Sequence, residues 1–573
     1  MVFYQSQVPM KDRFGTHKVK RDGTLRKEVE VPPTTAIHRS VEHIADWIRY
    51  ACDDAEMTWY LRLALKERLS VIPAVDGLSM YHLYLKFFVS FGEMLTDIER
   101  KGFKVDLALL KKIEDRSLEE SDSLINQFRQ WACTFSSDAR YMNVDSDKQK
   151  QALFFAPVCN RKTKDELPKT VEFDIDNSDG VIEPGAKKAK RKRKICLEGI
   201  GLPVPDWTPN GWPSTSTTSL QALCGSPPSF ENGLALEKIG KHGCEALNNL
   251  LEANSISTLR SSFIVPLQAL ADTNGRIHAS LNINTETGRL SCRRPNLQNQ
   301  PALEKDRYKI RSAFICEEGH QLIVADYGQL ELRLLAHLSN CRSMIEAFEA
   351  GGDFHSRTAC SMYEEIQDAI SRGEVVLESK DSTGIPTVKE RFGMERRRAK
   401  TLNFSIAYGK TSRGLAKDWG VSLPEAKETI DRWYSDRQEV RQWQQDTISF
   451  ARDYGYVSTI LGRRRNLPGI HATRDHSLRG HSQRAAINTP LQGSAADVVT
   501  AAMVKLHQNA ALRACGWSTI LQVHDEIILE GPRDSSPTAA DIVRRTMEHP
   551  LEWDLLVQLV VDLHVVQSWY QAK

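Results

Sequence analysis

The 573-residue chain lacks several features, and each absence narrows its class. No run of about 18 apolar residues occurs, so no membrane-spanning helix is expected. The opening MVFYQSQVPMKDRFGTHKVKRDG has no apolar signal-peptide core. It is also neither acid-poor nor Ser-rich enough for a transit peptide, so no targeting peptide is visible. The 11 cysteines include no C-x-x-C pair. Their odd number and wide spacing suggest neither a disulfide framework nor a zinc site, and free thiols in a reducing compartment are the simplest reading. The net charge is only +2, so any nucleic-acid partner must be met by local clusters of basic residues. No internal repeat is visible.

What is present is ordinary for a soluble globular protein: 41% hydrophobic and 26% charged residues. The length suggests about two to four domains. Residues 35–70 read as helical, with Ile44, Trp47, Ile48 and Ala51 at three- and four-residue spacing. Residues 82–130 continue as two amphipathic stretches divided at Gly102. Residues 160–215 hold an acidic segment, the basic run KKAKRKRK (187–194) and a Pro/Trp/Ser/Thr-rich stretch. That composition reads as a long, largely disordered insertion. The basic run is compatible with a solvated loop, a nuclear localisation signal or a DNA clamp. From about 230 onward the chain reads as mixed α/β, with strands at 321–325 and 518–523 and long helices at 396–408, 424–453 and 484–510.

Two segments place carboxylates at strand ends. In LIVADYGQLELRLLAHLS (322–339), Asp326 stands where an apolar strand hands over to a helix beginning near Gln329. In STILQVHDEIILEG (518–531), two apolar runs flank His524, Asp525 and Glu526, which reads as a β-hairpin with charges at its turn. Adjacent polar groups in an apolar surround are costly unless something binds them. Side by side, Asp326 and Asp525 would repel unless a cation or shared proton intervened. Hard oxygen ligands suit Mg²⁺, and two such ions about 3.5–4 Å apart can clamp an in-line displacement. Taken alone, an Asp after a strand is equally an N-cap, and the hairpin charges equally a solvated turn.

The segment ERRRAKTLNFSIAYGKT (395–411) spaces Arg396, Lys400, Phe404 and Tyr408 four residues apart. Four residues drift only about 40° around a helix, so the four form one slowly turning stripe. Two cations followed by two aromatics match a deoxynucleoside triphosphate: phosphates, then sugar and base. A row of cations can also be a solvated face. The aromatic continuation, with Asn403 and Gly409 in register, favours a ligand.

Together these segments resemble the family-A DNA polymerases. DYGQLELR (326–333) and VHDE (523–526) resemble that family's palm motifs, and R-x3-K-x3-F-x3-YG (396–409) its fingers helix. TGRLSCRRPNLQNQP (287–301), GGDFHSRTA (351–359), GYVSTILGRRRNLP (455–468) and RAAINTPLQGSAADVV (484–499) follow in the same order. Within the family the resemblance is greatest to the organellar enzymes of plants, algae and protists, on Gly328, the segment 373–393 and the ending QLVVDLHVVQSWYQAK.

The resemblance implies a mixed α/β right-hand fold, with an antiparallel palm sheet and helical fingers and thumb. It implies an exonuclease remnant over 1–75 and a thumb over 84–260. The palm would span 261–340 and 456–573, and the fingers 341–455. Asp326, Asp525 and the Tyr327 carbonyl would hold two Mg²⁺ ions, with Mn²⁺ as a substitute, and Lys400 and Glu526 would join the catalytic set. Gln329, His355, Arg396 and Lys400 would surround the triphosphate. Glu331 would exclude a ribose 2′-hydroxyl, Phe404 would pack on sugar and base, and Tyr408 would stack at the templating position. Arg289, Asn296, Gln298, Asn299, Gly409, Arg484, Asn488, Gln492 and His524 would contact primer-template DNA, whose minor-groove acceptors are nearly alike for every correct pair. The expected activity is DNA-templated DNA synthesis, in replication and repair.

One part of the pattern is incomplete. RYACDDAE (49–56) resembles the last proofreading-exonuclease motif, giving Tyr50 and Asp54, which read equally as a helical surface pair. The first two motifs are not seen, so no proofreading is expected of this chain. The expected location is mitochondrion or plastid, with the nucleus as the alternative. An organellar helicase and a single-strand-binding protein are the expected helpers. The rival readings are a catalytically silent DNA-binding scaffold and a nuclear repair polymerase of the same family.

Overall fold

A computed structural model of the chain describes residues 9–19, 24–177, 180, 188, 191–301, 306–377 and 385–572. Five segments read from sequence fall partly outside these residues: the N-terminal stretch 1–23, the stretch 160–215, the basic run 187–194 within it, the segment 373–393 and the ending 558–573.

The N-terminal third is mostly helical. Helix α1 (Ile44–Val71) has no buried residue. Helix α2 (Val89–Lys101) buries Phe91, Met94, Leu95 and Ile98 at helical spacing. It stops at Gly102, whose φ is 64° and where a Cβ would meet the Ile277 carbonyl oxygen at 2.6 Å. Asp106 then caps helix α3 (Leu107–Ala132), accepting from the Leu109 amide.

The stretch 160–215 departs from the disorder that its composition suggests. Over its described residues it forms an antiparallel hairpin, β1 (Thr170–Asp176) with β2 (Lys192–Glu198). Both strands alternate strictly, and Ile195 and Leu197 enter a core with Phe128, Trp131, Phe154, Leu220 and Leu250. Two basic residues of β2 meet acids of β1: Lys194 pairs with Glu172 at 2.7 Å, and Lys192 lies opposite Asp176. Arg193 is buried over the Tyr141 ring at 3.8 Å. Helix α4 (Leu236–Leu259) completes this lobe.

The central element is a four-stranded antiparallel sheet. In chain order its strands are β3 (His320–Tyr327), β4 (Ser518–Val523), β5 (Glu526–Pro532) and β6 (Val561–Val566), and in space β4-β5-β3-β6. Strand β3 is covered on both faces, which explains its unbroken apolar run. Ile323, Ala325 and Tyr327 enter one core, while Leu322 and Val324 enter another. Helix α5 (Leu330–Ser339) follows β3 directly.

Helix α6 (Phe354–Met362) packs on α7 (Gly393–Ala407). The single helix expected over 424–453 is two, α8 (Leu423–Ser435) and α9 (Gln438–Tyr454), broken at Asp436 and Arg437. Helix α10 (His476–Gln508) crosses the first core with most of its length buried. Among the described residues all eleven cysteines are free, and no helix is long and apolar enough to cross a membrane.

Candidate active site

The acids sit where β3 meets the β4–β5 hairpin. Asp326 is in register with Glu526, and the Tyr327 amide donates to the Asp525 carbonyl oxygen at 3.2 Å. His524, at the turn, adopts φ 56°. Burial pushes the Asp525 carboxyl up to about 7, and Glu331 and Asp326 push it the same way against Arg289. Two neighbouring acids in a low-dielectric site thus invite a compensating cation. Two carboxylates and the Tyr327 carbonyl are hard oxygen donors of the kind Mg²⁺ takes, so the residues present fit such an ion. Among the described residues no cluster of three or more His, Cys, Asp or Glu side chains forms a metal cage. A cation here would therefore complete its shell with water or ligand oxygens. Glu526 is turned to a neighbour: its Oε1 accepts from the Trp569 indole at 2.7 Å. On the other flank of β3, Asp562 stands in register with Asp326. The sequence reading missed Asp562, whose place depends on which strand pairs beside β3.

Helix α7 lines a cleft of about 900 Å³, and Tyr408 at its end feels the Asp525 charge. Arg396, Lys400, Phe404 and Tyr408 all lie on it, so the four-residue stripe is present as a surface. Lys389, Arg397, Lys410 and Arg484 line it too, and among the described residues no acid does. Three of these, Lys389, Arg397 and Lys410, were not foreseen. Arg396 is aimed by Asp353, to which its Nε donates at 2.5 Å. Asp353 also caps α6 and lies 3.5 Å from Gln329 Nε2. His355 is buried against Phe404, with ring centroids 5.7 Å apart. Tyr408 ends α7 and donates its hydroxyl to Glu331, which also holds Arg289 at 2.5 Å. Gly409 follows with φ 68°, where a Cβ would meet Ile487 at 3.0 Å.

The expected DNA-contact residues divide by what already engages them. Gln298 donates to Gln522 at its carbonyl (3.1 Å) and its side chain (3.2 Å). Asn296 caps the short turn 297–299, and it lines a cavity of about 130 Å³ with Asn299. Among the described residues Asn488 Oδ1 is buried with no hydrogen-bond partner. Gln492 is half-buried on the same helix, and Arg484 is exposed. Tyr50 packs on Phe14 and Trp47, and Asp54 is exposed one turn further along α1.

An antiparallel sheet thus carries paired acids at one end, and α7 carries cations followed by aromatics along one cleft. The chain belongs to DNA polymerase family A, whose domain matches residues 231–571. It is 43% identical to the Arabidopsis thaliana protein "DNA polymerase I A, chloroplastic/mitochondrial", over 100% of this chain and 60% of that one. It is 44% identical to the Oryza sativa subsp. japonica protein "DNA polymerase I A, chloroplastic", over 99% of this chain and 59% of that one. This chain thus spans about 60% of the length of these relatives. A solved structure, "POL domain of Pol1 from M. smegmatis complex with DNA primer-template and dNTP", aligns with TM-score 0.64 and 28% identity, covering 86% of this chain and 71% of that one.

Proposed function

We propose that this chain is a DNA-templated DNA polymerase that adds deoxynucleotides to a primer 3′-hydroxyl, acting in replication and repair of organellar DNA. The observation that carries this reading is the cleft along α7, lined by Arg396, Lys400, Phe404 and Tyr408, whose Tyr408 end feels the Asp525 charge. Arg396, Lys400 and His355 hold the triphosphate, and Phe404 and Tyr408 pack against sugar and base. Glu331 closes the ribose side, and Gln329 supports the phosphate end through Asp353. Asp326, Asp525 and the Tyr327 carbonyl would hold Mg²⁺, with Mn²⁺ as a substitute. When bound, such cations neutralise charge on the attacking and leaving oxygens. The primer hydroxyl displaces pyrophosphate from the α-phosphorus, and Lys400 meets the charge developing on the leaving group.

Residues 84–260 act as thumb, 261–340 and 456–573 as palm, and 341–455 as fingers; 1–75 correspond to an exonuclease remnant with Tyr50 and Asp54. Arg289, Asn296, Gln298, Asn299, Gly409, Arg484, Asn488, Gln492 and His524 contact the primer-template. The organellar names of the similar plant proteins support a mitochondrial or plastid location. A helicase and a single-strand-binding protein are the expected partners there.

Asp525→Ala should cut primer extension roughly 10³-fold, the scale of losing several kcal/mol of charge stabilisation. Primer-template affinity should stay within about threefold, since DNA binding rests chiefly on phosphate contacts. Extension at the wild-type rate would remove the metal-carboxylate assignment. Wild-type protein that binds DNA but never extends a primer would favour the silent scaffold.

A further inference from the structure

Between its cations and its aromatics, α7 carries an amide with no solvent exposure at all, Asn403. Its surroundings fix which end of the amide is oxygen. The Trp433 indole on α8 can only donate, and its Nε1 lies 2.8 Å from Asn403 Oδ1. Nδ2 therefore points the other way, donating to His355 Nδ1 at 3.1 Å and to Thr358 Oγ1 at 3.1 Å. The Thr358 hydroxyl proton has its own acceptor, the Phe354 carbonyl at 3.0 Å. Burial pushes His355 down to about 4, ahead of the opposing Asp353 and of the nearby Arg396 and Lys400, which push it further. The ring is therefore neutral near pH 7 and carries one proton. With Nδ1 accepting, that proton sits on Nε2.

We propose that Asn403 is a positioning residue: it locks His355 into the Nε2–H tautomer, so that the ring offers a triphosphate oxygen a hydrogen-bond donor. The inference rests on the polymerase reading above. The opposite tautomer would leave Nε2 with a lone pair and no proton to give. A charged imidazolium would be costly to bury beside Arg396 and Lys400. The amide thus gives the site a directional donor without a further buried charge, and it ties α6, α7 and α8 together at one point.

Selective [¹⁵N]histidine labelling of the full chain reads the tautomer directly. The His355 signal, assigned by its loss in His355→Gln, should show a bare Nδ1 and a protonated Nε2. The reverse pattern overturns the proposal. This readout needs no activity, so it decides the proposal even if the wild type fails to incorporate nucleotide, a failure that would instead remove the polymerase reading. In steady-state incorporation, Asn403→Leu should raise the dNTP KM about tenfold, the worth of one charge-assisted hydrogen bond, with a smaller change in kcat. In a His355→Gln background the same replacement should change KM less than about twofold, because the two residues act as a unit. Effects that simply multiply would make Asn403 a packing residue and overturn the proposal. Should Asn403→Leu fail to fold, Trp433→Phe frees the amide to turn over while keeping the aromatic packing. It should raise KM about threefold in the wild type and leave it unchanged in His355→Gln. An unchanged KM in both backgrounds would overturn the proposal.

Discussion

At the scale of single residues, burial moves two site groups in opposite directions: Asp525 up to about 7, and His355 down to about 4. For His355 the consequence is acid sensitivity. Its folded value lies below the unfolded 6.5, so the unfolded chain takes up a proton that the folded chain refuses. The stability it permits is complete above 6.5 and is lost as pH falls toward 4. The loss is on the order of 3 kcal/mol. His355→Gln has no such proton to bind. The wild-type-minus-variant difference, read from urea midpoints, should therefore shift by about that amount toward the variant between roughly pH 7 and pH 4. A constant difference would mean that the ring is hydrated in solution. The same residues show how far the site was legible. Asp326, Asp525 and the Arg396-to-Tyr408 stripe could be read because each lies in one segment whose periodicity places it. Asp353 and Lys389 could not, because their places in the site depend on distant segments meeting, and nothing local in the sequence marks that.

At the scale of elements, β3, α7 and the β4–β5 hairpin matched their periodicity, while the helix expected over 424–453 proved to be two. Its apolar spacing runs through Asp436 and Arg437, and no Gly or Pro marks the break. The larger difference is the hairpin in 160–215. TVEFDID and KRKICLE alternate with period two, but their charges dominate any average over the stretch, so composition pointed to disorder. Burial of every second residue offsets the cost of ordering the strands. Leu197 has no solvent exposure, so Leu197→Ala should cost about 2–4 kcal/mol within this lobe. Limited trypsin digestion should then cut residues 160–215 several-fold faster, with short-primer extension unchanged. Equal cutting of variant and wild type would mean that the segment is disordered in solution.

At the scale of the whole molecule, one seam joins the α2–α3 turn to the four-stranded sheet, and it is built of charge. Glu530 on β5 has no exposure and receives Arg276 Nη2 at 2.6 Å. The same guanidinium reaches Glu317 at 2.8 Å and the carbonyls of Lys101 and Gly102 at 2.7 and 2.9 Å. Glu317 in turn donates its amide to Glu530 at 2.8 Å and pairs with Lys104 at 2.5 Å. Buried ions cost desolvation, and their attraction repays it only while every partner remains. Removing one should therefore hurt more than removing two. Glu530→Leu leaves Arg276 with the more exposed Glu317 as its only anion, and Arg276→Met leaves Glu530 with the Glu317 amide at 2.8 Å and Lys101 at 3.8 Å; each should cost about 3–5 kcal/mol in denaturant unfolding. The double variant should be more stable than either single one, since its buried positions become apolar and Glu317 keeps Lys104. Strictly additive losses would mean that water already screens the seam. The α2–α3 turn and the four-stranded sheet would then be held together by the apolar packing around Phe103, Phe314 and Trp569 rather than by these ions.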